Sequence, residues 1–455
     1  MSRNAAKDLT VGSPFKLVIS FSLPLLFGFL FQQLYSFVDA AIVGKYLGSS
    51  ALAAVGSTGS LNFLLLGLCM GTCSGFSIPV AQAFGAKDET ELRRCVMHCV
   101  YLSAGISILM AILTASSCRW MLTVTNTPSD IIDNAVAYIL PIFAGIPITI
   151  LYNMASGIMR SLGDSKTPVF FAALASLVNV ALDLLFILVF QLGVAGAAYA
   201  TIISQLVSGV GCLIVLIKKF PILRMQHGDT TFRPRMTLNL LGIGLPMGLQ
   251  TSITAVGTVT MQTAINGLGT AAVAAMTAGS KLHGFFTCLP DSLAITLATF
   301  AGQNIGARKL ERVHQGLKAA CIIGAAYSLL ALCAKLLWGK QLLLLFVDGS
   351  ETQVIQLAYT YLLMTVSFFI PLMFVNNLRF TIQGLGFTRV AMFAGVMELI
   401  ARVIAALLLV PRFGFYGACL GHPLAWLFAD MFLFPCYFRV TKKLNFRMYS
   451  AGVNL

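Results

Sequence analysis

The sequence predicts an all-α integral membrane protein. Twelve transmembrane helices form two pseudo-symmetric six-helix lobes related as a parallel repeat, with the N- and C-termini cytoplasmic. Three observations carry this prediction. Charged residues are 10% and hydrophobic residues 58% of the 455-residue chain, whereas about 25% of an ordinary soluble protein is charged. Twelve apolar runs are each long enough to cross a hydrocarbon core of about 30 Å. The second half of the chain repeats motifs of the first at an offset of 221 to 223 residues.

A mean hydropathy of +0.87 leaves too few charges to cover a water-soluble surface. Soluble enzymes, disordered chains and secreted disulfide scaffolds are therefore excluded. The eleven cysteines are odd in number and lie mostly in apolar runs, which does not suit a disulfide framework. Cys95, His98 and Cys99 share one helical face. They could ligate a metal, or they could be small polarisable packing residues; no fourth ligand stands nearby in sequence.

The runs cover approximately 15–44, 51–83, 93–116, 131–158, 167–190, 195–217, 238–266, 272–302, 314–337, 354–383, 390–410 and 415–438. The first begins near Phe15 and is too long for a signal-peptide core, so it is expected to remain as the first span. Several runs exceed a straight crossing. Tilt or kinks at Pro24, Pro79, Pro246 and Pro290 would absorb the excess.

Lys and Arg set the orientation. With a cytoplasmic N-terminus, the cytoplasmic segments hold 22 of them and the outside segments 5 (Lys45, Arg119, Lys335, Lys340, Arg412). Their scatter in short clusters between apolar runs argues against nucleic acid as a partner. The domain reading is an N-terminal lobe over 1–218, a cytoplasmic linker over 219–237, a C-terminal lobe over 238–440 and a cytoplasmic tail over 441–455.

The repeat is direct. Leu47-Gly48-Ser49-Ser50-Ala51-Leu52-Ala53-Ala54 matches Leu268-Gly269-Thr270-Ala271-Ala272-Val273-Ala274-Ala275 at five of eight positions. Gln82 to Lys87 then falls on Gln303 to Arg308 without a gap, Leu23-Pro24 on Leu245-Pro246 and Leu162-Gly163 on Leu385-Gly386. Six spans separate equivalent points, so the halves share one orientation. Two six-helix bundles with a cleft between them is a transporter architecture.

Charges inside spans are costly, about 2.5–3.5 kcal/mol each on insertion scales. Gln32, Ser36 and Asp39 form one stripe on the first span, and Ser176, Asn179 and Asp183 another on the fifth. Two carboxylates at similar depth beside an amide suit reversible capture of a proton or of a hard cation such as Na⁺. The competing reading is helix-packing hydrogen bonds. Glu398 and Arg402 stand i, i+4 and read as a neutralising pair. Lys281 has no evident partner; Asp291 and Asp430 are candidates, and it could instead snorkel. Gln250, Thr254, Thr258, Gln262 and Asn266 form a further stripe that could line a cavity or bond neighbouring helices.

Taken in order on twelve spans, these stretches resemble the MATE (multidrug and toxic compound extrusion) transporters, in the branch near the bacterial DinF-like proteins. The carrying residues are Pro24…Gln32-Gln33-Leu34-Tyr35…Val38-Asp39, Gly48 to Ala54, Gly85-Ala86-Lys87-Asp88, Tyr152-Asn153…Gly157…Arg160 to Pro168, Asn179…Asp183, and Gly302 to Ala307. The resemblance covers about residues 15 to 440. It implies a non-enzymatic multi-pass transporter of a bacterial plasma membrane without a cofactor; a monomer is expected because two lobes already make a complete path in one chain. Such a protein exports amphipathic, often cationic small molecules in exchange for inward H⁺ or Na⁺ by rocking of two lobes. The family's N-lobe cation site matches Asp39, Asn179 and Asp183, with Thr201 as fourth member; no metal beyond Na⁺ at the first three is implied. Some members carry acids on the seventh and tenth spans, where this chain has Thr254 and Asn376-Asn377. Gln32, Ser36, Gln250, Thr254, Gln262, Asn266, Lys281 and Asn376 are the candidate cavity residues.

The runner-up is a lipid-linked oligosaccharide flippase, which shares the architecture but often lines its cavity with several Arg. An intramembrane aspartyl protease needs Gly-x-Gly-Asp, and Ser161-Leu162-Gly163-Asp164 lacks the first Gly. No Gly-x-x-x-x-Gly-Lys-Ser/Thr loop is present for ATP hydrolysis, and no segment resembles a channel selectivity filter.

Overall fold

The computed structural model describes residues 6–125 and 127–452. The first five positions of the expected N-terminal lobe and the last three of the expected tail lie outside the described residues. Within them the chain is helical, with no strand. Ten helices are long and apolar enough to cross a membrane, and two bent pairs bring the number to twelve among the described residues.

In chain order the helices are α1 (Pro14–Ser57), α2 (Gly59–Gly85), α3 (Glu89–Val124), α4 (Ile132–Ala144), α5 (Ile146–Ser161), α6 (Lys166–Leu184) and α7 (Gly193–Lys219) in the first half. The second half holds α8 (Pro234–Asn266), α9 (Thr270–Gly306), α10 (Leu310–Leu343), α11 (Thr352–Val366), α12 (Phe369–Gly384), α13 (Thr388–Ile404), α14 (Val410–Phe413), α15 (Phe415–Cys419) and α16 (Gly421–Gly452). Start signals follow the sequence. The Asp88 carboxylate caps α3 by accepting from Glu91 N at 2.9 Å. Asp164 caps α6 by accepting from the backbone of Lys166 and Thr167 and from the Thr167 hydroxyl. Each cap satisfies donors that a helix start leaves open.

The repeat predicted from sequence is written into the backbone. The fourth and tenth spans are each broken, α4 to α5 by 47° and α11 to α12 by 52°. A π-helical turn follows α6 at Leu185–Val189, and another follows α13 at Ala405–Leu409. Left-handed φ recurs at Lys87 and Arg308, at Gly48 and Gly269, and at Gly163 and Gly386. At Gly163, where φ is left-handed, a β-carbon would run into the Lys7 carbonyl oxygen, so that turn admits only glycine.

The chain divides into two compact units, Met1–Leu9 with Leu23–Gly248, and Thr10–Ser22 with Leu249–Leu455. This departs from boundaries at 218 and 238, because α1 and α8 are each shared. In the first unit, the start of α8 lies so close to α2 that a β-carbon on Gly75 would meet Gly244 Cα at 2.5 Å. In the second unit, Lys309 Nζ donates to Thr10 O at 3.0 Å and an Arg312 guanidinium nitrogen donates to Gly12 O at 2.9 Å. The segment expected as the linker is fastened to α3. Asp229 binds Arg93 Nε at 2.6 Å, and Tyr101 donates to Thr230 O at 2.8 Å.

All eleven cysteines are free. His98 is occupied at both ring nitrogens: Nδ1 bonds Arg94 O at 2.8 Å and Nε2 accepts from Arg233 N at 2.9 Å. The Cys95–His98–Cys99 face is therefore a helix-to-linker junction.

Candidate functional site

In the first unit four helices bring polar groups to one place. Helix α1 supplies Tyr35 and, one turn on, Asp39; α6 supplies Asn179 and Asp183 at the same spacing; α4 supplies Tyr138 and α7 Thr201. The Thr201 hydroxyl donates to Ala197 O at 3.0 Å. Its only proton is thereby used, so towards its other neighbours it accepts. Asn179 Nδ2 donates to it at 3.4 Å, and the Tyr35 hydroxyl, 3.5 Å away, is then the donor of that pair.

These bonds consume the donors and leave acceptors. Asp183 is 0% and Asn179 1% exposed. Both carboxylate oxygens of Asp183, the amide oxygen of Asn179 and one oxygen of Asp39 are buried without a hydrogen-bond partner among the described residues. The Asp39 and Asp183 carboxyls lie within hydrogen-bonding reach of each other, and Tyr35 and Tyr138 feel the charge of both. Neither acid has an ion pair among the described residues. Two unit charges about 4 Å apart repel by about 4 kcal/mol at an effective dielectric near 20. Carboxyls and an amide oxygen gathered in this way have the chemistry to take up a compensating positive charge, either a proton or a hard cation. The π turn that starts two residues after Asp183 is of a kind frequent at functional sites.

The remaining candidates divide. Gln32 and Ser36 share the α1 stripe but occupy exposed positions outside this knot. In the second unit Gln250 is buried and accepts from Gln383 Nε2 at 2.7 Å, so it joins α8 to α12. Thr254 returns its hydroxyl to Gln250 O at 3.1 Å, while its own carbonyl accepts from Arg402 at 3.4 Å. Gln262 donates to Asn266 at 2.9 Å on an exposed face. Asn376 donates to Asp291 at 3.3 Å, and neither Asp291 nor Asp430 forms an ion pair with Lys281 among the described residues. Lys281 instead lines a cavity with Asp348 and Glu351 and has no ion pair among the described residues.

Glu398 is engaged on both oxygens, by Arg379 on one and by Arg402 at 3.2 Å on the other. The expected pair is a triad spanning α12 and α13. Lys335, counted from sequence among loop charges, is wholly buried inside α10. Its ammonium sits 4.6 Å and 4.4 Å from the ring centres of Phe286 and Phe369, whose faces attract a cation.

A family model described as MatE matches residues 24–185 and again 246–408, one match in each half. The chain belongs to the MATE family. A relative named a probable multidrug resistance protein, YpnP of Bacillus subtilis strain 168, is 30% identical over 384 residues, 84% of each chain. DNA damage-inducible protein F of Escherichia coli K12 is 26% identical over 90% of this chain and 88% of its own. Among solved structures, a multidrug resistance MATE transporter in an outward-facing conformation matches with a TM-score of 0.89 at 22% identity, over 98% of this chain and 99% of that one. That likeness is one of fold. As a MATE protein with this many apolar helices, the chain is a multi-pass protein of the plasma membrane.

Sequence reasoning missed several members of the MATE chain's polar clusters. Tyr35 had a usable signal, since it stands one helical turn before Asp39 on the same face. Tyr138, Arg379 as the third member of the triad, and the Asp291–Asn376 contact had none, because each is contributed by a helix remote in sequence.

Proposed function

We propose that this MATE protein is a secondary active multidrug exporter. It moves amphipathic, often cationic compounds out of the cell by alternating access, in exchange for inward H⁺ or Na⁺. The family and the names of its relatives support export of drug-like small molecules. The carrying observation for the coupling step is the buried Asp183, whose two oxygens meet no hydrogen-bond donor among the described residues and whose carboxyl neighbours that of Asp39. In this reading Asp39 and Asp183 hold the coupling ion. Asn179 Oδ1 completes the oxygen set, and Thr201 with Tyr35 fixes the Asn179 amide so that its oxygen points inward.

The energetics suffice. Tenfold accumulation of a neutral solute needs about 1.4 kcal/mol, and one charge crossing 100 mV supplies about 2.3 kcal/mol. Arg379 and Arg402 spend their contacts on buried Glu398. They are poorly placed to bind an anionic sugar lipid, and the flippase reading is not favoured.

The test is efflux of a fluorescent cationic dye from proteoliposomes under an imposed proton gradient or an imposed Na⁺ gradient, applied separately. One gradient alone is expected to drive efflux, and Asp39→Asn or Asp183→Asn to abolish it in folded protein. Failure of both gradients across several dyes with folded protein would overturn the antiport reading.

A further inference from the structure

The first unit contains a second feature, remote in chemistry from the carboxyl pair. Helices α3, α5 and α7 enclose a cavity of about 610 Å³. Its walls are apolar and include Val96 and Val100 of α3, Ile150 and Met154 of α5, and Leu213 of α7. Along α3 it runs from Val96 to Ser107 and along α5 from Pro147 to Ile158. Eleven residues of helix rise about 16 Å, close to half of the roughly 30 Å hydrocarbon core. The cavity is therefore a slot as deep as one leaflet, and it continues onto the lipid-facing side chains of Val100 and Ile217.

Two polar groups stand out against these walls. Ser103 is 8% exposed, and its hydroxyl has no hydrogen-bond partner among the described residues. Its neighbour one turn on, Ser107, returns its hydroxyl to Ala104 O at 2.9 Å, as most helical Ser and Thr in this chain do. Arg224 lines the linker end of the slot and is exposed. The acid nearest in sequence, Asp229, is taken by Arg93 at 2.6 Å and by Arg94 at 3.7 Å. Arg224 has no ion pair among the described residues. Lys218 and Lys219, exposed at the end of α7, are not among the residues that line the slot.

We propose that this slot binds one anionic phospholipid of the leaflet on the linker side. An acyl chain lies between α3, α5 and α7, the phosphate meets the Arg224 guanidinium, and the Ser103 hydroxyl donates to an ester carbonyl. Moving an acyl chain from bilayer into an apolar slot brings no hydrophobic gain, because lipid tails are as apolar as the walls. Selection must come from the headgroup. The single guanidinium favours an anion and disfavours the cationic compounds assigned above as cargo, so the site is a lipid site and not a second drug site.

Native mass spectrometry of the full-length protein, titrated with phosphatidylglycerol or with phosphatidylcholine, tests this. One phosphatidylglycerol is expected to be retained with about a fivefold preference, the worth of one cationic contact to an anionic surface. Arg224→Gln is expected to bring the two lipids to parity, whereas Arg235→Gln, outside the slot, keeps the preference. Equal retention of both lipids by the native protein, or an undiminished preference in Arg224→Gln, would overturn the proposal. Phosphatidylglycerol with a photoreactive acyl chain gives a readout free of any variant. Labelling concentrated on peptides holding Val100 to Ser107 supports the site, and labelling spread evenly over the lipid-facing helices refutes it.

Discussion

Asp183→Asn is expected to make the protein more stable while stopping its coupled transport. Asp183 is completely buried, both of its oxygens lack donors, and the Asp39 carboxyl is its neighbour. An unmet buried acceptor costs about 1–3 kcal/mol. When both acids are ionised their repulsion adds up to about 4 kcal/mol at an effective dielectric near 20. The amide removes one charge and places an N–H donor opposite Asp39. A gain of about 2–4 kcal/mol follows, or a rise of a few °C in apparent Tm. The assay is thermal unfolding in detergent at neutral and mildly alkaline pH, with gradient-driven dye efflux measured on the same preparation. A variant less stable than the native protein at both pH values, or one that exports at the native rate, would refute the reasoning. Function kept at the expense of stability is a known pattern at working sites.

Three other outcomes are expected. Glu398→Gln leaves Arg379 and Arg402 buried around a neutral acceptor and should cost about 3–5 kcal/mol; melting in detergent should show the loss, with efflux per folded molecule retained. Gly75→Leu would drive a side chain into the Gly244 backbone, where even a β-carbon has only 2.5 Å, and should abolish a monodisperse peak in size exclusion. Gly105→Leu, with open space around its β-carbon, should leave that peak unchanged. The hydrogen bond from Arg93 holds the Asp229 carboxyl below the usual carboxylate range. A depressed folded value means that its hold on the linker is complete above the ordinary carboxylate value of about 3.9 and is lost as pH falls below it. Hydrogen exchange over residues 226–233 should therefore rise in acid, and in Asp229→Asn at neutral pH; unchanged exchange in that variant would sink this account.

The sequence was most informative where one helix carries the whole signal. Apolar length marked the spans, and the stripes ending at Asp39 and Asp183 marked the acids, because residues three, four and seven apart share a face. Partners across helices left no such trace. Glu398 and Arg402 were visible one turn apart, while Arg379, on α12, was not. Lys335 shows the opposite failure. A lysine near the end of an apolar run looks like a loop charge, and only the packing of Phe286 and Phe369 around it reveals burial. The unit boundaries were hidden for a related reason. Composition marks where the linker is, but not which core the ends of α1 and α8 join.

The sharing of α1 between units also bears on how the chain is made. Thr10 and Gly12 are held by side chains 299 and 300 residues further along. At about 5–20 residues per second of synthesis, the segment leading into α1 waits roughly 15–60 s after leaving the ribosome before its partners exist. The start of α8, made after the linker, completes the earlier unit. A gene cut at the linker would therefore yield two fragments, each missing a strip of its own interior, and neither should fold until the other is supplied.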